Sequence, residues 1–285
     1  MTESDMSWWP APAKLNLFLH VLGRRADGYH DIQTLFQLLD WGDDIGIRPL
    51  EGPGISRRPV SYQVEEREDL VVRAAEMLQA ETGVSTGAEI AVHKRVPPGS
   101  GLGGGSSDAA TVLLVLNSLW GCNLSLDDLA RLARPLGADI PVFIQGSSAL
   151  AGGIGDKLEP VSLGVRHYVL VFPDFSVGTR DIFTDPDLNR SSIALDLDDA
   201  LAGAGINDCE PVVRKRFSAF EEIMQNLEKW GCPRMTGTGS GIFLPMNDKK
   251  TAMSAAQSMK TLYNVRAVQG VDRSPLHEEA GLLIE

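Results

Sequence analysis

Residues 97–110 read Pro-Pro-Gly-Ser-Gly-Leu-Gly-Gly-Gly-Ser-Ser-Asp-Ala-Ala, and five of the seven residues from Gly99 to Gly105 are glycine. Glycine lacks a Cβ, so such a loop takes positive φ and lets backbone N–H groups approach a ligand. The residues that follow, Ala109 to Leu116, are rich in helix formers, with Ser106 or Ser107 as the expected N-cap. A glycine loop feeding a helix N-terminus gathers unpaired N–H donors and the positive end of the helix dipole at one point. That is a phosphate cradle. A flexible surface turn is the plainer alternative, but each glycine costs roughly 0.5–1 kcal/mol relative to alanine in regular structure.

The familiar phosphate loops narrow the reading. A P-loop needs a lysine followed by serine or threonine after its glycines, and none follows here. Gly99, Gly101 and Gly104 satisfy GxGxxG, and Asp127 or Asp128 lies about twenty residues further on, as a dinucleotide site requires. That fold needs a buried strand after the helix. Here the chain runs through Gly121-Cys122-Asn123 into a second helix, capped by Ser125 and ended by Pro135 and Gly137. No HRD or DFG sequence follows, so the protein-kinase pattern is absent too.

Upstream, Lys14 to Leu22 alternates in polarity, with Leu15, Leu17, Leu19 and Val21 on one face, and predicts a strand. Asp27-Gly28 marks a turn, and further strands are expected over 32–39, 44–48, 60–64 and 88–96. Residues 52–58 read as a loop. Asp69 caps a helix that ends at Gly83. Downstream, strands are expected over 165–172, 242–244 and 264–270, and helices over 196–203, 212–228 and 249–262. A second glycine cluster, Thr236-Gly237-Thr238-Gly239-Ser240-Gly241, leads into the middle one of these strands. The economical architecture is α+β in two domains, residues 1–155 and 156–285.

At 285 residues, 43% apolar and 22% charged, the chain is long enough to bury a core. A net charge of −12 disfavours nucleic acid and anionic membranes as partners. Cys122, Cys209 and Cys232 are too few and too scattered for a disulfide framework or a zinc site, which suits a reducing cytoplasm. The opening residues, MTESDMSWWP, have no apolar h-region, so no signal peptide is expected.

The glycine motif resembles the phosphate-binding motif of the galactokinase, homoserine, mevalonate and phosphomevalonate kinase superfamily. Four further stretches, AKLNLFLHVLGRRADGYHDIQTLFQ, LGADIPVF, IFTDPDL and NDCEPVVRKRF, together with TGTGSG, are similar to its 4-diphosphocytidyl-2-C-methyl-D-erythritol kinase branch. The resemblance covers most of residues 11–274. It implies a two-domain cytoplasmic enzyme with its site between the domains, a monomer or weak homodimer. The implied activity is ATP-dependent phosphorylation of the substrate's 2-hydroxyl. Another kinase of the superfamily, a dinucleotide oxidoreductase and a non-catalytic binding module are the alternatives.

Residue by residue, the resemblance assigns catalysis to Lys14 and Asp139. Asp139 follows Gly137-Ala138 and precedes Pro141, a tight corner able to project it into a cleft. A carboxylate there would take the hydroxyl proton, while Lys14 orients the hydroxyl and favours the ionised form. ATP is expected along Pro97, Gly99, Gly101, Leu102, Gly103, Gly104, Gly105, Ser106 and Ser107. Lys94 either lines the nucleotide pocket or is a solvated strand charge. Asp69 stands where the family often has asparagine; aspartate cannot donate to adenine, so an N-cap role comes first. Tyr29 and His30 are expected to read the cytosine, with Asn16 nearby and Phe183 on the other face, unless Tyr29 is a packed turn and Phe183 a core residue. Thr179, Gly237 and Gly239 complete the expected substrate side, although Arg180 departs from the proline expected beside Thr179. Mg²⁺ would arrive with ATP, held mostly by phosphates and water, with Ser106 as one conceivable ligand.

Overall fold

The structure, a computed structural model, describes residues 5–279; the ends of the N-terminal stretch and of the C-terminal tail lie outside it. Two long strands, β1 (Ser7–Arg24) and β2 (His30–Leu50), pair antiparallel about the Asp27-Gly28 turn. The strands expected over 32–39 and 44–48 are one continuous strand. It passes Gly42 unbroken because that residue lies against the Ala11 carbonyl, where a Cβ would collide. Residues 11–21 are buried on both faces rather than one. Helix α2, described below, covers part of the strand, and the carbonyls of Ile193 and Ile206 meet its far end at His20 and Leu19.

The elements that follow are β3 (Ile55–Arg57), α1 (Leu70–Thr82), β4 (Gly87–His93), α2 (Gly104–Leu119), α3 (Leu126–Ala133), α4 (Ile140–Gln145), β5 (Ala149–Gly152) and β6 (Lys157–Pro160). Then come β7 (Arg166–Phe172), α5 (Thr179–Phe183), α6 (Leu197–Ala202), α7 (Glu210–Arg216), α8 (Ser218–Leu227), β8 (Arg234–Met235), β9 (Ile242–Met246), α9 (Lys249–Met259), β10 (Asn264–Val271) and α10 (Pro275–Glu279). One mixed sheet runs β3-β4-β2-β10-β7-β9-β8, with β1 and β5 also paired to β2, and β6 to β5. Among the described residues β3–β4 is parallel and the other pairings are antiparallel. This is the expected α+β class.

One apolar core packs α1 to α4 against β2 and β4, and takes Leu276 from the far end of the chain. Another packs α5, α7, α8 and α9 against β7, β9 and β10, and takes Leu19, Val21 and Ile32 from the first two strands.

Local signals place several boundaries. Asp69 accepts from Val71 N, and Gly83 ends α1 at φ 67°. Ser125 and Asp128 close a reciprocal capping box on α3. Three expectations need correction. The N-cap of α2 is Gly103, at φ 74°, not Ser106 or Ser107; the first helical bond, Ser107 N to Gly103 O, already lies upstream of both serines. Residues 60–64 form no strand. Pro59 precedes them, and Arg57 draws in the Val64 carbonyl while Tyr62 donates to Asp69, so the short strand falls at 55–57 instead. The helix expected over 212–228 breaks at Phe217, which turns extended and stacks on Phe175 with ring centroids 5.0 Å apart.

Candidate active site

The glycine loop enters from β4 and turns at Gly99, Gly101 and Gly103, all near φ +70°, a region that favours glycine. Its last turn delivers the chain into α2, so the first N–H groups of that helix have no intrahelical partner and point the same way. The second glycine cluster lies directly against it. Ser240 N donates to Gly99 O (3.2 Å) and Gly241 N to Ser100 O (3.1 Å). A Cβ on Gly101 would strike the Thr236 carbonyl, so this approach requires glycine.

Two irregularities in the β1–β2 pairing, the first with its extra residues on β2 and the second with one on β1, aim β1 at these loops. Register shifts fall between Pro12 and Lys14 and between Asn16 and Leu19. Lys14 N consequently donates to Leu102 O (3.1 Å) and Asn16 N to Thr236 Oγ1 (2.9 Å), each tying β1 to one glycine loop. Lys14 is only 2% exposed, and its ammonium meets Asp139 Oδ2 at 3.2 Å, Asn16 Oδ1 at 2.5 Å and Gly101 O at 3.1 Å. Asp139 caps no helix with its side chain, although α4 begins at the next residue. At 36% exposure its carboxylate faces a cavity of about 630 Å³.

That cavity is walled by Lys14, Asn16, Lys94, Pro97, the glycine loop as far as Ser106, Asp139, Thr179, Phe183 and Gly237. Lys94 is no solvated strand charge. It lies beyond the end of β4, with Nζ 2.7 Å from Asp43 Oδ2 and 2.6 Å from Asp108 Oδ2. Burial pushes the Asp108 carboxyl well above the usual range; Lys94 opposes this and Asp43 adds to it. Burial opposes the ammonium of Lys94 as well, yet the two carboxylates hold its pKa above that of an ordinary lysine. Asp69 is occupied by Val71 N, Arg57 and the Tyr62 hydroxyl, in keeping with a capping role. Thr179 Oγ1 meets Thr238 Oγ1 at 3.1 Å and ties α5 to the second glycine loop.

At the Phe183 end, the His30 ring stacks on Phe183 with centroids 5.2 Å apart and planes 26° off parallel. Phe183 lines the cavity and also packs on the second core. Tyr29 is 60% exposed beside them. Ser107 and Gly239, together with Tyr29 and His30, are not part of the cavity wall. Ser107 is enclosed within α2, and Gly239 backs onto Met235 and Val213.

A glycine loop opening a helix N-terminus, with a lysine–aspartate pair beside it, is an arrangement suited to phosphoryl transfer, and the comparisons with known proteins give a kinase family. The description "GHMP kinases N terminal domain" matches residues 69–147. A 4-diphosphocytidyl-2-C-methyl-D-erythritol kinase from Halorhodospira halophila is 47% identical over 277 residues, 96% of either chain. The chain belongs to the 4-diphosphocytidyl-2-C-methyl-D-erythritol kinase family. A crystal structure of 4-(cytidine 5'-diphospho)-2C-methyl-D-erythritol kinase superposes at a TM-score of 0.81 with 32% identity, over 93% of this chain and 100% of that one. Homoserine kinase from Cytophaga hutchinsonii, at 19% identity and a TM-score of 0.68, covers 96% of this chain and 97% of its own, and shares the fold.

As a member of this kinase family the chain is an ATP-using small-molecule kinase, not an oxidoreductase or a bare binding module. No helix of the described residues is long and apolar enough to cross a membrane. Three parts of the site escape the sequence reading. Asp43 accepts from Arg95 N and Val96 N and so anchors the entry to the glycine loop; the adjacent acids Asp43 and Asp44 in the otherwise apolar run from Trp41 to Ile47 are the signal for it. Asp108 lies inside the quoted glycine motif but reads there as part of a helix. Arg190, just after IFTDPDL, donates from Nε to His30 Nε2 at 3.1 Å, and nothing in the local sequence announces that contact.

Proposed function

We propose that this kinase transfers the γ-phosphoryl group of ATP to the 2-hydroxyl of 4-diphosphocytidyl-2-C-methyl-D-erythritol, giving the 2-phosphate and ADP in the methylerythritol phosphate route to isoprenoids. The observation that carries this reading is the ion pair of Lys14 and Asp139 at the cavity wall, beside two glycine loops. Phosphoryl transfer is mostly positioning and charge stabilisation. The N–H groups of the loop from Gly99 to Ser106 hold the triphosphate; that of Ser107 is taken by Gly103 O. Asp139 accepts the proton of the acceptor hydroxyl as its oxygen bonds to the γ-phosphorus, and the bridging oxygen leaves with ADP. Lys14, held on three sides, keeps Asp139 in place and stabilises charge on the transferring group.

Tyr29, His30 and Phe183 flank the cytosine, while Asn16, Thr179 and Gly237 line the path from it to the acceptor hydroxyl, and Gly239 supports that loop from behind. Residues 1–155 form the ATP-side domain and 156–285 the substrate side, with the tips of β1 and β2 reaching across. Mg²⁺ fits the donor set. Asp108 Oδ1 is buried without a partner among the described residues, and the Ser106 hydroxyl lines the same cavity, both being hard oxygens of the kind this ion takes. Bound there with ATP, it would neutralise phosphate charge. Every residue named comes from one chain, which suits a monomer or weak homodimer, and the free cysteines suit the cytoplasm.

Incubation with Mg-ATP and either the cytidyl substrate or mevalonate is expected to give turnover of the cytidyl compound; turnover of mevalonate alone sinks the proposal. Asp139→Asn is expected to lower kcat by about 10²–10⁴-fold, the usual worth of a positioned acid or base, while an ATP analogue still binds. A rate within tenfold of the parent removes Asp139 from the proton-accepting role.

A further inference from the structure

Arg190 occupies the centre of the base-binding end without touching the cavity. Its Nη2 donates to the carbonyls of Phe183 (2.9 Å) and Asp185 (2.7 Å), its Nη1 to that of Leu188 (3.1 Å), and its Nε to His30 Nε2 (3.1 Å). One guanidinium therefore holds both partners of a ring stack, Phe183 through its backbone and His30 through its ring. A guanidinium has donors only, so the nitrogen that receives Nε–H must present a bare lone pair. A doubly protonated imidazole has none.

We infer that Arg190 is a positioning residue that sets His30 as the neutral Nδ1–H tautomer, and so makes it a donor to an acceptor atom on the pyrimidine edge. Cytosine offers such acceptors at N3 and O2. The deduction rests on the reading of Tyr29, His30 and Phe183 as the base subsite. Nδ1 has no hydrogen-bond partner among the described residues, so its proton is available to a ligand. The surroundings act in the same sense: burial, and then the cations of Arg190 and Arg24, push the His30 pKa below its ordinary value. Arg24 faces His30 across the β1–β2 pair.

Nitrogen-detected NMR of the imidazole is expected to show Nδ1–H for His30 in the parent and to show Nε2–H appearing in Arg190→Met. In steady-state kinetics, Arg190→Met should raise KM for the cytidyl substrate about tenfold, the effect of losing one well-placed hydrogen bond. KM for ATP and kcat should stay within about twofold, since neither the phosphate cradle nor the proton acceptor is touched. His30→Asn places an amide N–H near the position of Nδ1, whereas His30→Gln places its amide near that of Nε2. The asparagine variant should keep the cytidyl KM closer to the parent's, a comparison that remains decisive if Arg190→Met fails to fold. An Nε2–H tautomer in the parent, an unchanged tautomer in Arg190→Met, or better function in the glutamine variant overturns the proposal. So does an unchanged cytidyl KM in Arg190→Met when Tyr29→Ala raises it. If Tyr29→Ala and Phe183→Ala both leave that KM unchanged, the base subsite lies elsewhere, and the role of Arg190 falls with it even where the NMR result holds.

Discussion

Gly101 and Gly105 belong to the same motif, yet the structure gives them different physical duties. Gly101 sits at φ 73° with the Thr236 carbonyl against the place its Cβ would take. Gly105 is already helical, and the nearest atom to its hypothetical Cβ is Leu70 Cδ1 at 3.6 Å, an ordinary contact. Gly101→Ala must therefore separate the two glycine loops, at a cost of about 1–3 kcal/mol for a strained backbone position. Gly105→Ala should be neutral or stabilising by up to about 1 kcal/mol, as alanine is in a helix. Calorimetric titration with a non-hydrolysable ATP analogue and thermal melts of both variants check this. Equal loss of affinity in the two would show that the close approach of the loops does not govern nucleotide binding. The sequence identifies the glycines as a group. Only the carbonyl of Thr236, far along the chain, shows that Gly101 is held by the approach of the second loop.

At the level of the element, the end of β4 and the start of α2 are joined by Lys94 between Asp43 and Asp108. Three charged groups taken out of water are tolerable because each carboxylate has the ammonium within 2.7 Å. Lys94→Met leaves two carboxylates buried without their cation, and should cost about 3–5 kcal/mol of stability near neutral pH. The loss should shrink as pH is lowered toward about 5, because Asp108, whose pKa burial already raises, can then fold as the neutral acid. Denaturant unfolding of parent and variant at both pH values measures it; a cost independent of pH would mean that the carboxylates are not the strained partners. Helix periodicity and caps place α1 and α3 from sequence, since those signals come from residues within one turn of each other. The Lys94 bridge joins residues 14 and 51 positions apart, and sequence leaves its role as two open alternatives.

Across the whole molecule, the far end of the chain supports the corner that carries Asp139. His277 in α10 is buried against Gly146, with its ring bonded to Ile144 O at 2.9 Å, so it seals the C-terminal end of the helix that starts beside Asp139. Burial pushes the pKa of His277 down, partly opposed by the Ile144 carbonyl. Below about pH 6.5 the unfolded chain takes up a proton that the folded chain refuses, so this group subtracts stability as pH falls, levelling off below its folded pKa. Thermal melts at about pH 7.5 and pH 5.5 should show a smaller acid-induced drop for His277→Asn than for the parent, after allowing for the variant's own loss of packing. Equal drops would remove His277 from the pH response.

By itself the sequence determined the glycine loop that opens α2, the α+β class, the caps of α1 and α3, and the family whose motifs surround Lys14 and Asp139. These depend on residues that act on their own backbone or on neighbours a turn away, where periods of 2 and 3.6 apply. The single long β2, the bulges that turn Lys14 and Asn16 toward the glycine loops, the docking of one glycine loop on the other, and the grip of Arg190 on His30 were decided by the tertiary structure. The partners in these contacts are separated by up to 220 residues, as for Asn16 and Thr236. Their pairing depends on register across the sheet, and a bulge of one residue redirects every N–H beyond it.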